Sequence, residues 1–181
     1  MQHKVFESHQ LWRDALHSDT GDRSLTTAAA SALIEKVQRQ NVVREALEWL
    51  GTPYISEARV KGTGTDCAMF LAGVFINAGL IEPFKVPHYP AQWHLHSSDE
   101  RYLREITRFL SEIRQPLPGD VAVFHVKHAY AHAGIVVEWP QKVIHCNIRG
   151  GVQWGDASRE AFLIMEQRQF PPKFFSYWSH P

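Results

Sequence analysis

Apolar side chains in the first half of the chain recur at the spacing of an α-helix. In the stretch "VVREALEWL", Val43, Ala46, Leu47 and Leu50 fall on one helical face. We predict that Asn41 caps the start of this helix and that Gly51 follows its end. The preceding stretch "TTAAASALIEKVQRQ" is helical by residue propensity. Residues 1–40 are therefore predicted to form a helical extension that precedes a domain of residues 41–181.

Two further helices follow the same period. In "TDCAMFLAGVFINAG", Asp66 is a predicted N-cap and Gly79 a predicted helix end. The apolar face between them consists of Cys67, Leu71, Val74 and Ala78. The stretch "SSDERYLREITRFLSEI" is predicted to be a third helix, which Ser97 and Glu100 open as a capping box. Its apolar face consists of Leu103, Ile106, Leu110 and Ile113.

After "QPLPGD" the apolar pattern changes from that of helices to that of strands. The segments "VAVFHV", "AHAGIVVEW", "KVIHCN", "GVQW" and "AFLIMEQRQF" have the composition of short strands separated by turn residues. Helices followed by antiparallel strands are typical of the α+β class. We therefore predict N-terminal helices packed on a central antiparallel β-sheet.

The composition narrows the classes of partner. The 181 residues carry a formal net charge of zero with histidine neutral, so we expect no nucleic-acid partner. No apolar run reaches the roughly 18 residues of a membrane span. The N-terminal stretch lacks the uninterrupted apolar region of a signal peptide, so we expect synthesis in the cytoplasm. Two cysteines cannot form a disulfide framework, and both thiols are expected to be reduced there.

Cys67 is the first candidate for chemistry. It follows a predicted N-cap, where unpaired N–H groups and the helix dipole stabilise a thiolate. The alternative is a small apolar residue on the core face of the helix, which is the role of most free cysteines. A nucleophilic cysteine also needs a base and a group that orients the base. His132 and His145 lie on predicted strands, although each histidine taken singly is more often structural.

Five segments in order carry a resemblance to a known family. "WLGTPY", "GTDCAMF", "PGDVAVF", "HAGIVV" and "VIHCN" followed by "GGV" resemble the NlpC/p60 peptidases, papain-like cysteine enzymes that cut peptidoglycan stem peptides. The interposed stretch "VPHYPAQWHLHSSDERYL" is similar to that of phage-encoded cell-wall peptidases of this family. The resemblance covers roughly residues 41–178 and leaves residues 1–40 without a counterpart. The "AM" after the cysteine departs from the Ser or Leu followed by Gly that the family often has.

The resemblance implies a papain-like fold and a set of site residues. Cys67 would be the nucleophile, His132 the general base and His145 the polar residue that holds the imidazole. Tyr54 would reach the oxyanion region together with the Cys67 backbone N–H. Asp66 would be structural and tie the loop to the start of the helix. Activity of this kind needs no cofactor and no metal ion.

The histidine-rich stretch after the second predicted helix has two interpretations. His94 and His96 are separated by one residue and could ligate zinc together with His88, but no cysteine or acidic partner has the right spacing. We therefore expect no metal site. Trp93 in the same stretch is a candidate for a wall of the substrate cleft, although the stretch fits an ordinary surface loop better.

The role of His145 depends on the strand register. If His132 and His145 stand opposite each other on adjacent strands, the loop between the strands is residues 137–140 and the side chains lie about 4.5–5.5 Å apart. In the competing register Val136 opposes His145, the imidazoles are about 13 Å apart, and Asn147 becomes the closer candidate. We predict the first register, with Cys146 turned to the other face and into the core.

The leading functional hypothesis is a cysteine endopeptidase of peptidoglycan stem peptides. The resemblance implies cleavage between D-glutamate and diaminopimelate by a phage or prophage tail-associated enzyme, carried in the virion and acting on the cell wall. Its partners would be the peptidoglycan peptide and phage tail proteins. One alternative is a papain-like amidase or acyltransferase that acts on another acyl group. Another is a catalytically silent structural component of a phage tail.

Overall fold

The computed structural model describes residues 20–90, 98–159 and 169–178. Within these residues the chain forms three helices and eight strands. The helices are α1 (Thr20–Glu48), α2 (Cys67–Asn77) and α3 (Arg101–Ile106). The strands are β1 (Arg59–Val60), β2 (Gly64–Thr65), β3 (Ser111–Ile113), β4 (Val121–Val126), β5 (Ala129–Glu138), β6 (Lys142–Asn147), β7 (Gly151–Gly155) and β8 (Lys173–Ser176). No helix in the described part of the chain is long and apolar enough to cross a lipid bilayer.

The chain divides into two compact units, residues 1–37 and 38–181. The described part of the first unit, residues 20–37, is helical and belongs to α1. The predicted helical extension of residues 1–40 remains a prediction.

The second unit has the predicted α+β architecture. Six of the described strands form one antiparallel sheet in the order β3-β8-β4-β5-β6-β7, and β1 and β2 form a separate hairpin. Strand β5 lies inside the sheet between β4 and β6, so both of its edges are paired. Strand β6 is likewise paired on both edges, so the backbone that carries the side chains of β5 and β6 is held in place by hydrogen bonds to neighbouring strands.

The main hydrophobic core lies between one face of the sheet and the helices. It includes Trp49 after α1, Phe70 and Val74 on α2, and Ile135 and Ile144 on the sheet, all at most 1% exposed. Six residues of α2 are buried, namely Met69, Phe70, Leu71, Gly73, Val74 and Phe75. Their burial explains why this segment forms a helix that packs against the sheet. Burial of this helix fixes the position of its first residue, Cys67.

The first helix differs from the prediction at Asn41. The helix α1 runs through this position without a new N-cap, because an asparagine in a helix interior costs less than about 0.7 kcal/mol relative to alanine. Its buried face includes Val42 and Ala46, and the buried Trp49 follows its end, whereas the predicted face residue Leu47 is 40% exposed. Gly51 follows the end of the helix with a φ of 82°, as predicted.

The third predicted helix is much shorter than expected. Helix α3 ends at Ile106, and Ser111–Ile113 is strand β3, paired with β8. The residue before α3 is Glu100, which makes no capping hydrogen bond through its side chain, and Ser97 lies outside the described residues. Pairing with a distant strand overrides the local helical pattern in this segment.

The predicted strands of the second half correspond to β4, β5, β6 and β7, and β6 has the expected bounds. Most of the predicted strand over residues 161–170 lies outside the described residues, and residues 169 and 170 are not in a strand. The short strands β1, β2, β3 and β8 were not predicted.

Candidate active site

Asp66 organises the start of α2. Its side chain accepts hydrogen bonds from the backbone N–H groups of Ala68 (3.1 Å) and Met69 (2.9 Å), so it is the N-cap that the sequence predicts. The other carboxylate oxygen accepts from the Glu57 backbone N–H at 2.7 Å and from the Tyr89 hydroxyl at 2.6 Å. The carboxylate is 3% exposed and is satisfied by four donors. It joins the helix, the loop before it and the connection after it.

Cys67 is the first residue of α2 and is partly buried. Its Sγ lies 3.8 Å from the backbone oxygen of Ala131 on β5. The nucleophile predicted from the sequence is therefore next to the residue that precedes His132. Cys146 is 2% exposed on β6, and its thiol lies 3.4 Å from the backbone oxygen of Thr65, so it belongs to the core as expected.

The surroundings of Cys67 favour the neutral thiol. Burial raises the pKa of the Cys67 thiol to about 12, and the negative charge of Asp66 adds to this rise. Three groups that can donate to a thiolate lower the pKa in turn: the Tyr102 hydroxyl and the backbone N–H groups of Ala68 and Cys67. A neutral thiol becomes a nucleophile only after losing its proton, so nucleophilic chemistry at Cys67 would need a base close to the sulfur.

His132 and His145 contact each other directly. The Nε2 atom of His132 lies 2.7 Å from the Nδ1 atom of His145, and the two rings are nearly perpendicular. His132 is partly exposed, whereas His145 is 2% exposed. Burial lowers the pKa of His145 to about 4, so this ring is neutral at physiological pH. A neutral His145 can accept a hydrogen bond from His132 at Nδ1, which leaves the Nδ1 atom of His132 for another partner.

The strand register that brings these rings together is not the predicted one. His145 pairs with Gly134, not with His132, and a bulge between Val136 and Glu138 sets this register. The loop is shorter than predicted, since Glu138 pairs with Lys142. His132 and His145 are diagonal neighbours on one face, a separation that long side chains can span. The predicted opposition of the two histidines is thus wrong, but their contact is present.

Gly134 makes the diagonal contact possible. A Cβ atom at this position would lie 2.5 Å from Val143 Cγ1, 2.8 Å from the Ile144 backbone oxygen and 3.0 Å from His145 Cβ. These distances are too short for any side chain, so only glycine leaves space for His145 to approach His132. The sequence contained this signal, since a glycine inside an apolar strand indicates a close approach of neighbouring groups.

Tyr54 lies beside the start of α2. Its backbone forms a parallel bridge with Thr65, and its half-buried side chain lines the same cavity as Cys67. Burial raises the pKa of the Tyr54 hydroxyl, and the charge of Asp66 adds to this effect. The hydroxyl is therefore protonated at neutral pH and can donate a hydrogen bond.

Tyr102 on α3 was not identified from the sequence. Its side chain is 8% exposed, and its hydroxyl makes no hydrogen bond to any other described residue in the resting site. Burial raises the pKa of Tyr102, and the negative charge of an ionised Cys67 raises it further, so the hydroxyl stays protonated. As a donor to the Cys67 sulfur it lowers the pKa of that thiol. One tyrosine on a short helix gives no pattern from which this placement could have been predicted.

A cavity of about 400 Å³ opens beside Cys67. It lies between α2, α3 and the connection of residues 81–90, and Tyr54, Tyr89 and Tyr102 are among its lining residues. This volume is within the usual range of small-molecule sites.

The histidine-rich stretch is described only in part. Trp93, His94 and His96 are outside the described residues. His88 is exposed and pairs with Glu57, with 2.8 Å between Nδ1 and Oε1. Among the described residues, no group of three or more histidine, cysteine, aspartate or glutamate side chains is arranged to hold a metal ion.

Comparisons with known proteins bear on the fold. No protein-family model matches the sequence, and no curated protein matches it. Among solved structures, NlpC1 from Trichomonas vaginalis is 18% identical with a TM-score of 0.53, and the match covers 78% of this chain and 45% of that chain. This chain thus spans less than half of that protein. The likeness shows that the chain has an NlpC/p60 papain-like fold.

Two further structures match over most of this chain. The NlpC/p60 domain of the peptidoglycan hydrolase SagA is 17% identical with a TM-score of 0.46, and the match covers 76% of this chain and 96% of that domain. A protein similar to a lipoprotein of the NLP/P60 family, from Staphylococcus aureus subsp. aureus Mu50, is 22% identical with a TM-score of 0.49. That match covers 70% of this chain and 38% of the other.

Proposed function

We propose that this chain is a cysteine peptidase of the NlpC/p60 family that hydrolyses peptidoglycan stem peptides. The observation that carries the proposal is the placement of Cys67 at the start of α2, with its Sγ 3.8 Å from the backbone of Ala131 and with the His132–His145 pair on the adjoining strands. A thiol, a base and a group that orients the base are the components of nucleophilic catalysis by cysteine.

The proposed reaction begins with proton transfer from the Cys67 thiol to His132. The sulfur attacks the carbonyl carbon of the scissile amide, and the bond from carbon to nitrogen breaks as His132 returns the proton to the leaving amine. Water then hydrolyses the thioester and regenerates the thiol. Because the pKa of the thiol is raised, we propose that His132 acts as a general base during the attack and not as a permanent imidazolium partner of a thiolate.

The remaining residues have supporting roles in this proposal. His145 stays neutral and accepts a hydrogen bond from His132, which fixes the orientation of that ring. The Cys67 backbone N–H and the Tyr54 hydroxyl hold the oxyanion, and the loss of one such donor typically costs about 2.7–4 kcal/mol of transition-state stabilisation. The Tyr102 hydroxyl donates a hydrogen bond to the Cys67 sulfur when that sulfur is ionised. Asp66 keeps the nucleophile in place through its four hydrogen bonds.

The sequence resemblance supports a finer form of the proposal. In this form the scissile bond joins D-glutamate to diaminopimelate, and the enzyme is carried by a phage or prophage tail and opens the cell wall locally. The association with a tail rests on the similarity of the stretch between α2 and the sheet to that of phage-encoded peptidases.

The test is digestion of purified diaminopimelate-type peptidoglycan, followed by mass spectrometry of the soluble fragments. We expect fragments with a new diaminopimelate amino group from the wild-type chain and none from Cys67→Ser. The matched control is Cys146→Ala, which removes the other thiol, and it should digest as the wild type does. Hydrolysis by Cys67→Ser, or fragments produced by cleavage of the glycan strand, would contradict the proposal.

A further inference from the structure

The cavity beside Cys67 is apolar along its depth. Leu71 and Phe75 on α2 and Leu110 after α3 form its floor and are 6%, 2% and 8% exposed. The rings of Phe84 and Phe109 close another side, with 4.6 Å between their centroids. A ligand in this space would exchange water for hydrocarbon contacts over most of its surface.

The charged groups that line the cavity lie at its rim. The side chains of Arg101, Arg104, Glu105 and His88 are 45%, 63%, 38% and 81% exposed, so they face solvent. The buried carboxylate of Asp66 is already engaged by four donors. A charged group of a substrate would therefore meet no charged partner at the floor among the described residues, and its desolvation would be unfavourable.

The nucleophile is at one end of this apolar space. The lining residues of α2 run from Cys67 to Phe75, eight residues along one helix, which corresponds to a length of about 12 Å at ~1.5 Å per residue. A carbonyl carbon that reaches the Cys67 sulfur can therefore have an unbranched hydrocarbon chain directly attached to it, lying along α2 in the cavity.

We propose that this site accepts acyl groups with an apolar chain and hydrolyses their esters, in addition to cutting peptides. The Cys67 sulfur forms a bond to the acyl carbon, the bond from that carbon to the leaving oxygen breaks, and the thiol proton passes through His132 to the leaving oxygen. Water then cleaves the thioester and releases the carboxylic acid. This inference rests on the proposed nucleophile Cys67 but is independent of the stem-peptide substrate.

The first measurement uses p-nitrophenyl acetate, butyrate, hexanoate and octanoate with the wild-type chain. Each fully buried methylene is expected to raise kcat/KM about fourfold, and even a twofold rise for each of the six additional methylenes would make octanoate exceed acetate by about 60-fold. A value of kcat/KM that does not rise with chain length would overturn the proposal.

The second measurement places a side chain in the cavity. Ala72 lines it, five residues from Cys67 on α2, so Ala72→Phe should lower the ratio of octanoate to acetate kcat/KM at least tenfold. The control is Ile76→Phe on the same helix, outside the lining residues, and it should keep the wild-type ratio. An unchanged ratio in folded Ala72→Phe would contradict the proposal.

A third measurement needs no variant. Decanoate should slow the alkylation of Cys67 by iodoacetamide in the wild-type chain at least fivefold at saturation, and acetate at the same concentration should not. Absence of protection by decanoate would overturn the proposal even if the cavity variant does not fold.

The outcomes separate this inference from the proposed function. Ester hydrolysis that survives in Cys67→Ser would reject the nucleophile and both proposals with it. Intact peptidoglycan together with chain-length-dependent ester hydrolysis would reject the stem-peptide substrate and support the apolar site. Digested peptidoglycan together with equal rates on all four esters would reject the apolar site alone.

Discussion

Removal of the Tyr102 hydroxyl should slow the chemistry of Cys67 without weakening the fold. In the resting site this buried hydroxyl makes no hydrogen bond to the other described residues, and its acceptor is the sulfur once that atom is charged. A hydrogen bond to a charged group is worth about 1.5–3 kcal/mol, which corresponds to roughly 10- to 150-fold less thiolate in Tyr102→Phe at a given pH.

The expected fall in reactivity is smaller than the fall in thiolate. A thiolate of higher pKa is a better nucleophile, with a Brønsted coefficient of about 0.4–0.5, and this offsets roughly half of the effect on a logarithmic scale. We therefore expect alkylation of Cys67 by iodoacetamide to slow about 4- to 13-fold at any pH well below the thiol pKa. Stability should be unchanged or slightly higher, because the variant no longer buries an unsatisfied hydroxyl.

The assay is mass-spectrometric alkylation kinetics between pH 7 and 9 in a Cys146→Ala background, with Tm recorded for each variant. Tyr130→Phe is the matched control, since its hydroxyl donates to the Pro171 backbone oxygen at 2.8 Å and should not affect the sulfur. Equal alkylation rates for Tyr102→Phe and the parent would refute the reasoning. A large fall in Tm would show instead that the hydroxyl has a structural partner.

Three further predictions concern His145, Gly134 and metal ions. Burial lowers the pKa of His145 to about 4, against about 6.5 in the unfolded chain, so the unfolded chain takes up the proton first as the pH falls and the fold loses about 3 kcal/mol between pH 6.5 and pH 4. Urea unfolding at both pH values should show this loss in the wild type and a smaller one in His145→Gln. Gly134→Ala should destabilise the fold by about 1–3 kcal/mol and lower kcat, as measured by urea unfolding and peptide hydrolysis, because its Cβ would lie 2.8 Å from a backbone oxygen; wild-type values of both would contradict the role of this glycine. Hydrolysis should persist in EDTA, and a loss that zinc restores would implicate His94 and His96.

Segments with a consistent local pattern were predictable from the sequence. The helix α2 was predicted from the Asp66 cap, the apolar spacing and Gly79, and the structure has these features in place. Strand β6 was predicted with its observed bounds, because its apolar run is bordered by turn residues. In these segments local propensity and tertiary packing favour the same structure.

Features that depend on distant partners were not predictable. Ser111–Ile113 has a helical pattern but forms a strand, because β8 pairs with it from more than 60 residues further along the chain. The register of β5 and β6 was predicted incorrectly, since the bulge after Val136 has no sequence signature that we recognised. Tyr102 approaches Cys67 only through the packing of α3, which no spacing in the sequence encodes.

The position of β8 has a consequence for biosynthesis. This strand, Lys173–Ser176, lies between β3 and β4, both of which precede it by about 50 residues or more. The sheet therefore cannot be completed until residue 176 has left the ribosome. Until then β4, which has five consecutive buried residues, has one edge without a paired strand. A chain that stops or is cut before residue 173 leaves this edge of β4 unpaired and should aggregate or be degraded rather than accumulate as a truncated protein. The order of the strands thus makes synthesis through residue 176 a condition for assembly of the complete sheet on which His132 and His145 lie.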